Sequence, residues 1–212
     1  MLQRDHLTVI APSLAEGVAH IRACLGLDIP YGRAHDGMGT HNHLLRLGDD
    51  VYLEVIAVDP AAPPPGRPRW FGLDDAASVR SSWDDGFRLR GWVARTTGIA
   101  ELLARHGSIL GEEVRLSGSG RNFSFAVPPG GALPLGGLAP SVIDRGGYPP
   151  SVAAMPDLGA RLRAFVVEDP EPDEVRALYE RLDVENPPEI RRGERLRYRA
   201  VIETPAGLKE LA

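Results

Sequence analysis

Cysteine is almost missing from the 212-residue chain: Cys24 stands alone. One thiol excludes an internal disulfide and fits a reducing compartment, which makes the cytoplasm the expected location. Cys24 lies between Ile21 and Leu25 of a helical stretch and reads as a buried, inert thiol. Basic charge is not in excess either. The formal net charge is -5, which argues against general binding to nucleic acid or to a membrane surface. No apolar run approaches the roughly 18 residues of a membrane helix, and the opening MLQRDHLTVIAPS lacks the apolar core of a secretory leader. The Gly/Pro-rich stretch PPGGALPLGGLAP (128–140) lacks the Lys and Ser/Thr of a phosphate loop. It reads as a surface loop or as a flap over a pocket. What remains is 43% hydrophobic and 25% charged, an ordinary globular composition. The 19 prolines and 24 glycines imply many turns and abrupt strand ends.

The hydrophobic pattern sets out a unit and then repeats it. Residues 6–10 read as a strand. PSLAEGVAHIRACLG then turns helical: Ser13 and Glu16 are spaced as a capping box, Leu14, Val18, Ile21 and Leu25 form one stripe, and Gly26 stands where the helix should stop. Strand-like runs follow around Ile29–Gly32, His41–Leu47 and Val51–Val58, the last two joined by a Gly48-Asp49-Asp50 turn. Residues 1–60 therefore read β-α-β-β-β. An ungapped shift of 85 lays this helix on a second, with Glu101 on Glu16, Leu103 on Val18, Leu110 on Leu25 and Gly111 on Gly26. Strand-like runs follow at Val114–Leu116 and Asn122–Val127, joined through SGSGR, and at Ala139–Asp144. A third, shortened copy starts at 161–184 with the stripe Val175, Leu178, Tyr179 and Leu182, and ends in a half-exposed strand over Arg195–Glu203. Module limits of 1–60, 87–150 and 160–212 follow within a single domain of 212 residues, with a stiff Pro-rich connector over 61–86.

One residue is out of place in this pattern. Glu54 sits in the middle of Val51–Val58, whose two faces are both apolar. An unpaired carboxylate there is expensive, so it needs a partner, a metal or solvent. Strand alternation puts Tyr52, Glu54, Ile56 and Val58 on one face. His6, with Thr8 and Ile10, occupies one face of the first strand. Were the first and fourth strands neighbours, His6 and Glu54 would lie about 5 Å apart at Cβ. That spacing suits a shared proton or a divalent metal. The plainer alternative is an exposed His6 and a Glu54 bonded to backbone or to an arginine. In the Gly-rich bend beyond, Arg33, His35, Thr40 and Asn42 are candidates for substrate contact, with His41 and His43 on the opposite strand face. Alternatively Thr40 and Asn42 satisfy only the backbone of the bend. Trp92, like Trp70 and Trp83, can line a pocket or fill a core. The arginines of 191–199 read as a solvated face.

The run Asp5-His6, Gly32, His35, Gly39-Thr40, Asn42, Leu44, Leu47-Gly48-Asp49 and Tyr52-Leu53-Glu54, with the βαβββ repeats, resembles the glyoxalase-like proteins of the vicinal oxygen chelate superfamily. The likeness is dense over 5–58 and looser beyond residue 87. It implies an α+β fold of repeated βαβββ modules, of the glyoxalase/bleomycin-resistance/dihydroxybiphenyl-dioxygenase kind, curving around a central pocket. It also implies that ligands for a divalent metal (Zn, Fe, Mn, Ni or Mg), where one is used, come from first and fourth strands. That carries His6 and Glu54 over as metal ligands and as catalytic residues, with Asp144 as the fourth-strand counterpart in the second module. The counterpart of His6 there is Gly91, or Trp92 with a one-residue gap. In the third copy the matching positions are Arg163 and Glu210. The expected function is an isomerase, lyase or dioxygenase acting on a small oxygenated metabolite, in a homodimer. A metal-free binding or resistance protein is the alternative.

Overall fold

The computed structural model describes residues 1–118, 121–148 and 151–212. The first unit runs β1 (Gln3–Ile10), α1 (Leu14–Leu25), β2 (Tyr31–His35), β3 (Thr40–Arg46) and β4 (Tyr52–Val58). The helix starts and stops where local chemistry dictates. Ser13 Oγ accepts from the Glu16 amide and donates to its carboxylate, and Gly26 closes the helix in the left-handed region. After the connector come β5 (Leu89–Thr96), α3 (Ile99–Leu110), β6 (Glu112–Gly118), β7 (Arg121–Val127) and β8 (Ser141–Asp144). Helix α3 coincides with α1 under the shift of 85. Part of the SGSGR turn, residues 119–120, lies outside the described residues.

These strands form one eight-stranded sheet in the order β2-β3-β4-β1-β5-β8-β7-β6. Each unit closes by a parallel pairing of its first and last strands, β1 with β4 and β5 with β8, and the units meet across the antiparallel pair β1–β5. The sheet curls until its two ends approach each other. A Cβ built on Gly37 would lie 3.1 Å from Leu116, and the Arg33 guanidinium lies over the Phe123 ring at 5.7 Å. Strand alternation then sorts the side chains. Leu7, Val9, Leu53, Val55, Trp92, Ala94 and Val142 face the helices on the convex side. Ile10, Ile56, Val93, Phe125 and Ile143 face the hollow.

Two elements differ from the sequence expectation. The connector carries a short 3-10 turn (Trp70–Gly72) and a helix α2 (Ala76–Asp84), capped by the Asp75 side chain. Trp70, Phe71, Leu73 and Val79 from this stretch pack into the hollow. The last unit, β9 (Arg161–Asp169), α4 (Pro172–Arg181), β10 (Glu189–Arg192), β11 (Arg197–Thr204) and β12 (Gly207–Leu211), keeps the element order but not the pairing. Its sheet runs β10-β9-β11-β12, so the first strand pairs with the second and third rather than the fourth. It packs on the convex side of the large sheet through Phe165, Tyr179 and Tyr198 against Trp92. Trp92 is thereby a core residue, and of the two roles open to it the pocket-lining one, as a substrate contact, is corrected: odd and even positions of β5 face opposite sides. Among the described residues no helix is long and apolar enough to cross a membrane.

The contact between α1 and β4 fixes the strand that bears Glu54. A methyl group on Gly17 would sit 2.4 Å from Val55 Cγ1 and 2.9 Å from the Ala11 Cβ. Glycine inside a helix ordinarily costs about 1 kcal/mol relative to alanine. Here overpacking, at about 1–3 kcal/mol, is the larger effect. Gly17→Ala is therefore expected to lower the thermal midpoint, and a rise would show that the helix has room to shift.

Candidate functional site

The hollow encloses a cavity of about 170 Å³. Its polar wall is His6, Arg33, His35, Asn42, Tyr52, Glu54 and Arg145. Its apolar wall includes Trp70, Phe71, Phe123, Phe125 and Ile143. Phe71 stands at a φ of 61°, in the left-handed region that a bulky residue avoids; the turn it makes lays Trp70 and Phe71 side by side against Phe125.

Strands β1 and β4 put His6 and Glu54 together. The register pairs Thr8, not His6, with Glu54, so the two side chains meet diagonally, with Nε2 3.3 Å from Glu54 Oε2. The other imidazole nitrogen, Nδ1, lies 2.6 Å from Asp5 Oδ1. All three groups are buried, at 0%, 4% and 6% exposure for Asp5, His6 and Glu54. Burial alone pushes both carboxyls up. The hydrogen bonds and charge of His6, joined by Arg145 at Asp5, outweigh it and hold each at about 2. Burial likewise pushes His6 down, and the two flanking carboxylates more than reverse it. The two carboxylates thus favour the protonated ring, the form in which both nitrogens donate. The Tyr52 ring stacks on it at 4.5 Å between centroids.

A second chain of hydrogen bonds fixes the far side of Glu54. The Arg33 amide donates to Asn42 Oδ1 at 2.9 Å, which turns Asn42 Nδ2 toward Glu54 Oε1 at 2.6 Å and His35 Nε2 at 3.3 Å. This approach requires glycine at position 32, where a Cβ would fall 2.2 Å from Asn42 Oδ1. Burial depresses His35 to about 4, so its ring is neutral. Its Nδ1 donates to Thr40 Oγ1 at 3.0 Å, which also accepts from Trp70 Nε1 at 3.3 Å.

Of the residues expected at a site, His6, Arg33, His35, Asn42 and Glu54 therefore converge on one cavity. Thr40 stands behind His35 and orients it rather than lining the space. His43 bonds the Ile29 carbonyl and His41 faces Asp59. Arg163 and Glu210 pair on the surface with Glu203 and Arg199. Asp144 is misplaced as a metal ligand. The register pairs Val93 with Ser141 as it pairs Thr8 with Glu54, so under the shift of 85 the counterpart of Glu54 is Ser141. Asp144, three positions on, points to the other face and accepts from the amides of Ile99 and Gly146. Asp5, Arg145, Phe71, Phe123 and Phe125 carried no assigned role in the sequence, and Tyr52 none beyond its place on the Glu54 face. The local signals were the adjacency of Asp5 to His6 and the strand alternation that puts Tyr52 beside Glu54; Trp70 takes the pocket-lining role that was one of two open to it.

The donor set does not fit a divalent metal. The second unit offers Gly91 and Ser141 where the first has His6 and Glu54. Among the described residues no three of His, Cys, Asp and Glu group as ligands. Two donors fall short of the three that even open sites use.

A family model described as Glyoxalase-like domain matches residues 4–182. No curated protein matches the chain. Among solved structures, a hypothetical protein from Staphylococcus aureus is similar with a TM-score of 0.59 at 11% identity, over 96% of this chain and 91% of its own. Methylmalonyl-CoA epimerase from Mycobacterium tuberculosis gives 0.43 at 15% identity, over 71% and 91%. The Streptomyces coelicolor epimerase in complex with 2-nitronate-propionyl-CoA gives 0.42 at 16%, over 70% and 99%. The first of these likenesses is one of fold.

The charge arrangement has a pH signature. Asp5 and Glu54 are held below their ordinary 3.8 and 4.5, so their stabilisation is complete above those values and is lost as the pH falls toward about 2. His6 is raised above 6.5, so its stabilisation is complete below 6.5 and is lost as the pH climbs through the folded value. Denaturant unfolding of wild type and Glu54→Gln should therefore differ most between pH 4.5 and 6.5, with the gap narrowing on both sides. A gap independent of pH would contradict the ion cluster.

Proposed function

The chain belongs to the glyoxalase-like domain family of the vicinal oxygen chelate superfamily, and from that premise we propose that it is an enzyme of isomerase or lyase type that moves a proton on a small carbonyl compound. The observation that carries this reading is the Glu54 Oε2–His6 Nε2 contact, 3.3 Å long, at the wall of the cavity. A carboxylate and an imidazolium so placed are a base and an acid on either side of one substrate. Glu54 takes a proton from the carbon next to a carbonyl while His6 donates to the oxygen that gains negative charge. When Glu54 hands its proton back to that carbon and the enol oxygen returns the other to His6, the carbonyl re-forms with the carbon-bound hydrogen exchanged or its configuration inverted, and both residues are restored. A carboxylate held at about 2 is a weak base, but that value depends on the bond to His6. A substrate oxygen that takes the Nε2 proton removes the bond, and burial then drives the carboxylate's basicity upward. Asn42 keeps the second oxygen of Glu54 in place, and His35 and Arg33 stand where they can contact the substrate. Dioxygenase chemistry asks for a metal, and two donors do not supply the facial triad it uses.

Size limits the substrate. A cavity of about 150 Å³ accommodates benzene, and this one measures about 170 Å³. The aromatic wall suits an apolar body, and the polar wall suits one oxygenated end. A metal-free binding protein is the second reading. It is favoured by the closed network itself, in which both oxygens of Glu54 and both nitrogens of His6 already have protein partners.

Proton exchange separates the two. In deuterated buffer, wild-type protein should wash out the α-proton signal of at least one member of a panel of small ketones and 2-oxo acids. Glu54→Gln should slow that exchange by about 100-fold or more while ligand-induced thermal shifts persist. Thermal shifts without any exchange would assign the chain to the binding class.

A further inference from the structure

The second unit has no His6 or Glu54 of its own, yet one of its side chains enters the site. Arg145 directly follows β8. Its guanidinium donates to both oxygens of Asp5, at 2.9 Å for the Nη2–Oδ1 bond, and to the Tyr52 hydroxyl at 3.2 Å. Asp5 is fully buried and holds His6 Nδ1 at 2.6 Å. Tyr52 lies flat against the imidazole, with 17° between the ring planes. The imidazole is thus held at its edge by Asp5 and on its face by Tyr52, and both holds end on the same guanidinium.

We infer that Arg145 is a positioning residue, reaching across from the second unit to fix the His6 ring so that Nε2 points at Glu54; the catalytic meaning of this rests on the acid–base reading above. Three features support it. The fork geometry of a guanidinium locks a carboxylate in plane, as a lysine cannot. The backbone on either side is tied down by Asp144, which accepts from the Gly146 amide at 2.8 Å and the Ile99 amide at 3.2 Å. The arm is therefore anchored to the start of α3. Burial is the third: Asp5 is fully buried and accepts from Arg145 at both oxygens, so losing the guanidinium would leave a buried carboxylate with His6 as its one remaining side-chain partner. An ion pair that only held the units together would share the burial argument but would not touch Tyr52.

The ring itself reports the outcome, in protein alone. In 15N-histidine-labelled wild type, His6 should show a strongly deshielded Nδ1 proton in slow exchange with water, assigned by its loss in His6→Gln. In Arg145→Met that proton should move upfield and exchange at least about tenfold faster, with Arg145→Lys intermediate. On any panel compound turned over by wild type, Arg145→Met should lower kcat by about 100-fold, as a displaced catalytic group does, with KM nearly unchanged. Tyr52→Phe removes one of the three bonds and no charge, and covers the case in which Arg145→Met does not fold; it should broaden the same resonance. If Tyr52→Phe and the folded Arg145 variants melt lower but leave the His6 resonance as in wild type, the inference is overturned. Undiminished exchange by Glu54→Gln would instead strike at the acid–base reading, and the resonance would still test the clamp.

Discussion

Two carboxylates inside an apolar shell have to be neutralised, and much of this architecture follows from how that is done. Asp5 and Glu54 sit on adjacent strands whose opposite faces are sealed by helices and by a second sheet. Asp5 is sealed off, and Glu54 opens only onto the cavity. Between them stands one imidazole, which satisfies both by taking up a proton that burial alone would remove. The fourth member, Arg145, comes from just past the end of β8, about ninety residues beyond Glu54. Along this chain each acidic group then has a basic one beside it, as buried ionisable groups require. Removing one leaves its neighbour short of a partner. The arrangement therefore demands that both units be folded and docked before the site exists.

Duplication explains the scaffold, and divergence explains the site. A pair of βαβββ units related across β1–β5 would place two equivalent half-sites in one hollow. Only the first is furnished. Where the second would present its imidazole there is Gly91, and the buried Leu133 stands over it, 3.6 Å from where a Cβ would be. Where it would present its carboxylate there is the small, buried Ser141. The second unit instead supplies Phe123, Phe125 and Ile143 as wall, and Arg145 as an arm. A lopsided cavity of this kind presents charged and polar groups on one side and apolar surface on the other, which favours one orientation for a ligand with a single polar end.

Local signals in the sequence reached as far as local physics does. The capping box at Ser13, the glycine stops at Gly26 and Gly111, and the anomalous Glu54 each rest on interactions within a few residues. They specified α1, α3 and a buried charge on β4. Helix α2 escaped notice because only Val79 and Trp83 of its nine residues are buried and prolines crowd the stretch before it. The pairing in the last unit escaped because strand order is decided by which edges meet, not by element order. Asp144 shows how sharp the limit is: a three-residue error in register turns a side chain from the hollow to the opposite face. Arg145 lies 140 positions from Asp5, and nothing around it in the sequence marks the contact.

The aromatic side of the cavity has a chemical consequence as well as a steric one. Trp70, Phe71, Phe123 and Phe125 line the cavity beside the Glu54–His6 contact and make its surroundings less polar than solvent. Each hydrogen bond in the cluster is then stronger than it would be in solvent, and each lost bond is more costly. A ligand that slips between Oε2 and Nε2 must replace both partners or leave a buried charge unpaired. A carbonyl oxygen beside a carbon-bound hydrogen offers the imidazolium an acceptor and the carboxylate a proton. An alkane offers neither and an amine competes for the wrong partner. On the acid–base reading, selection of ligand begins with the desolvation of the pair, before any contact from Arg33, His35 or Asn42 is counted.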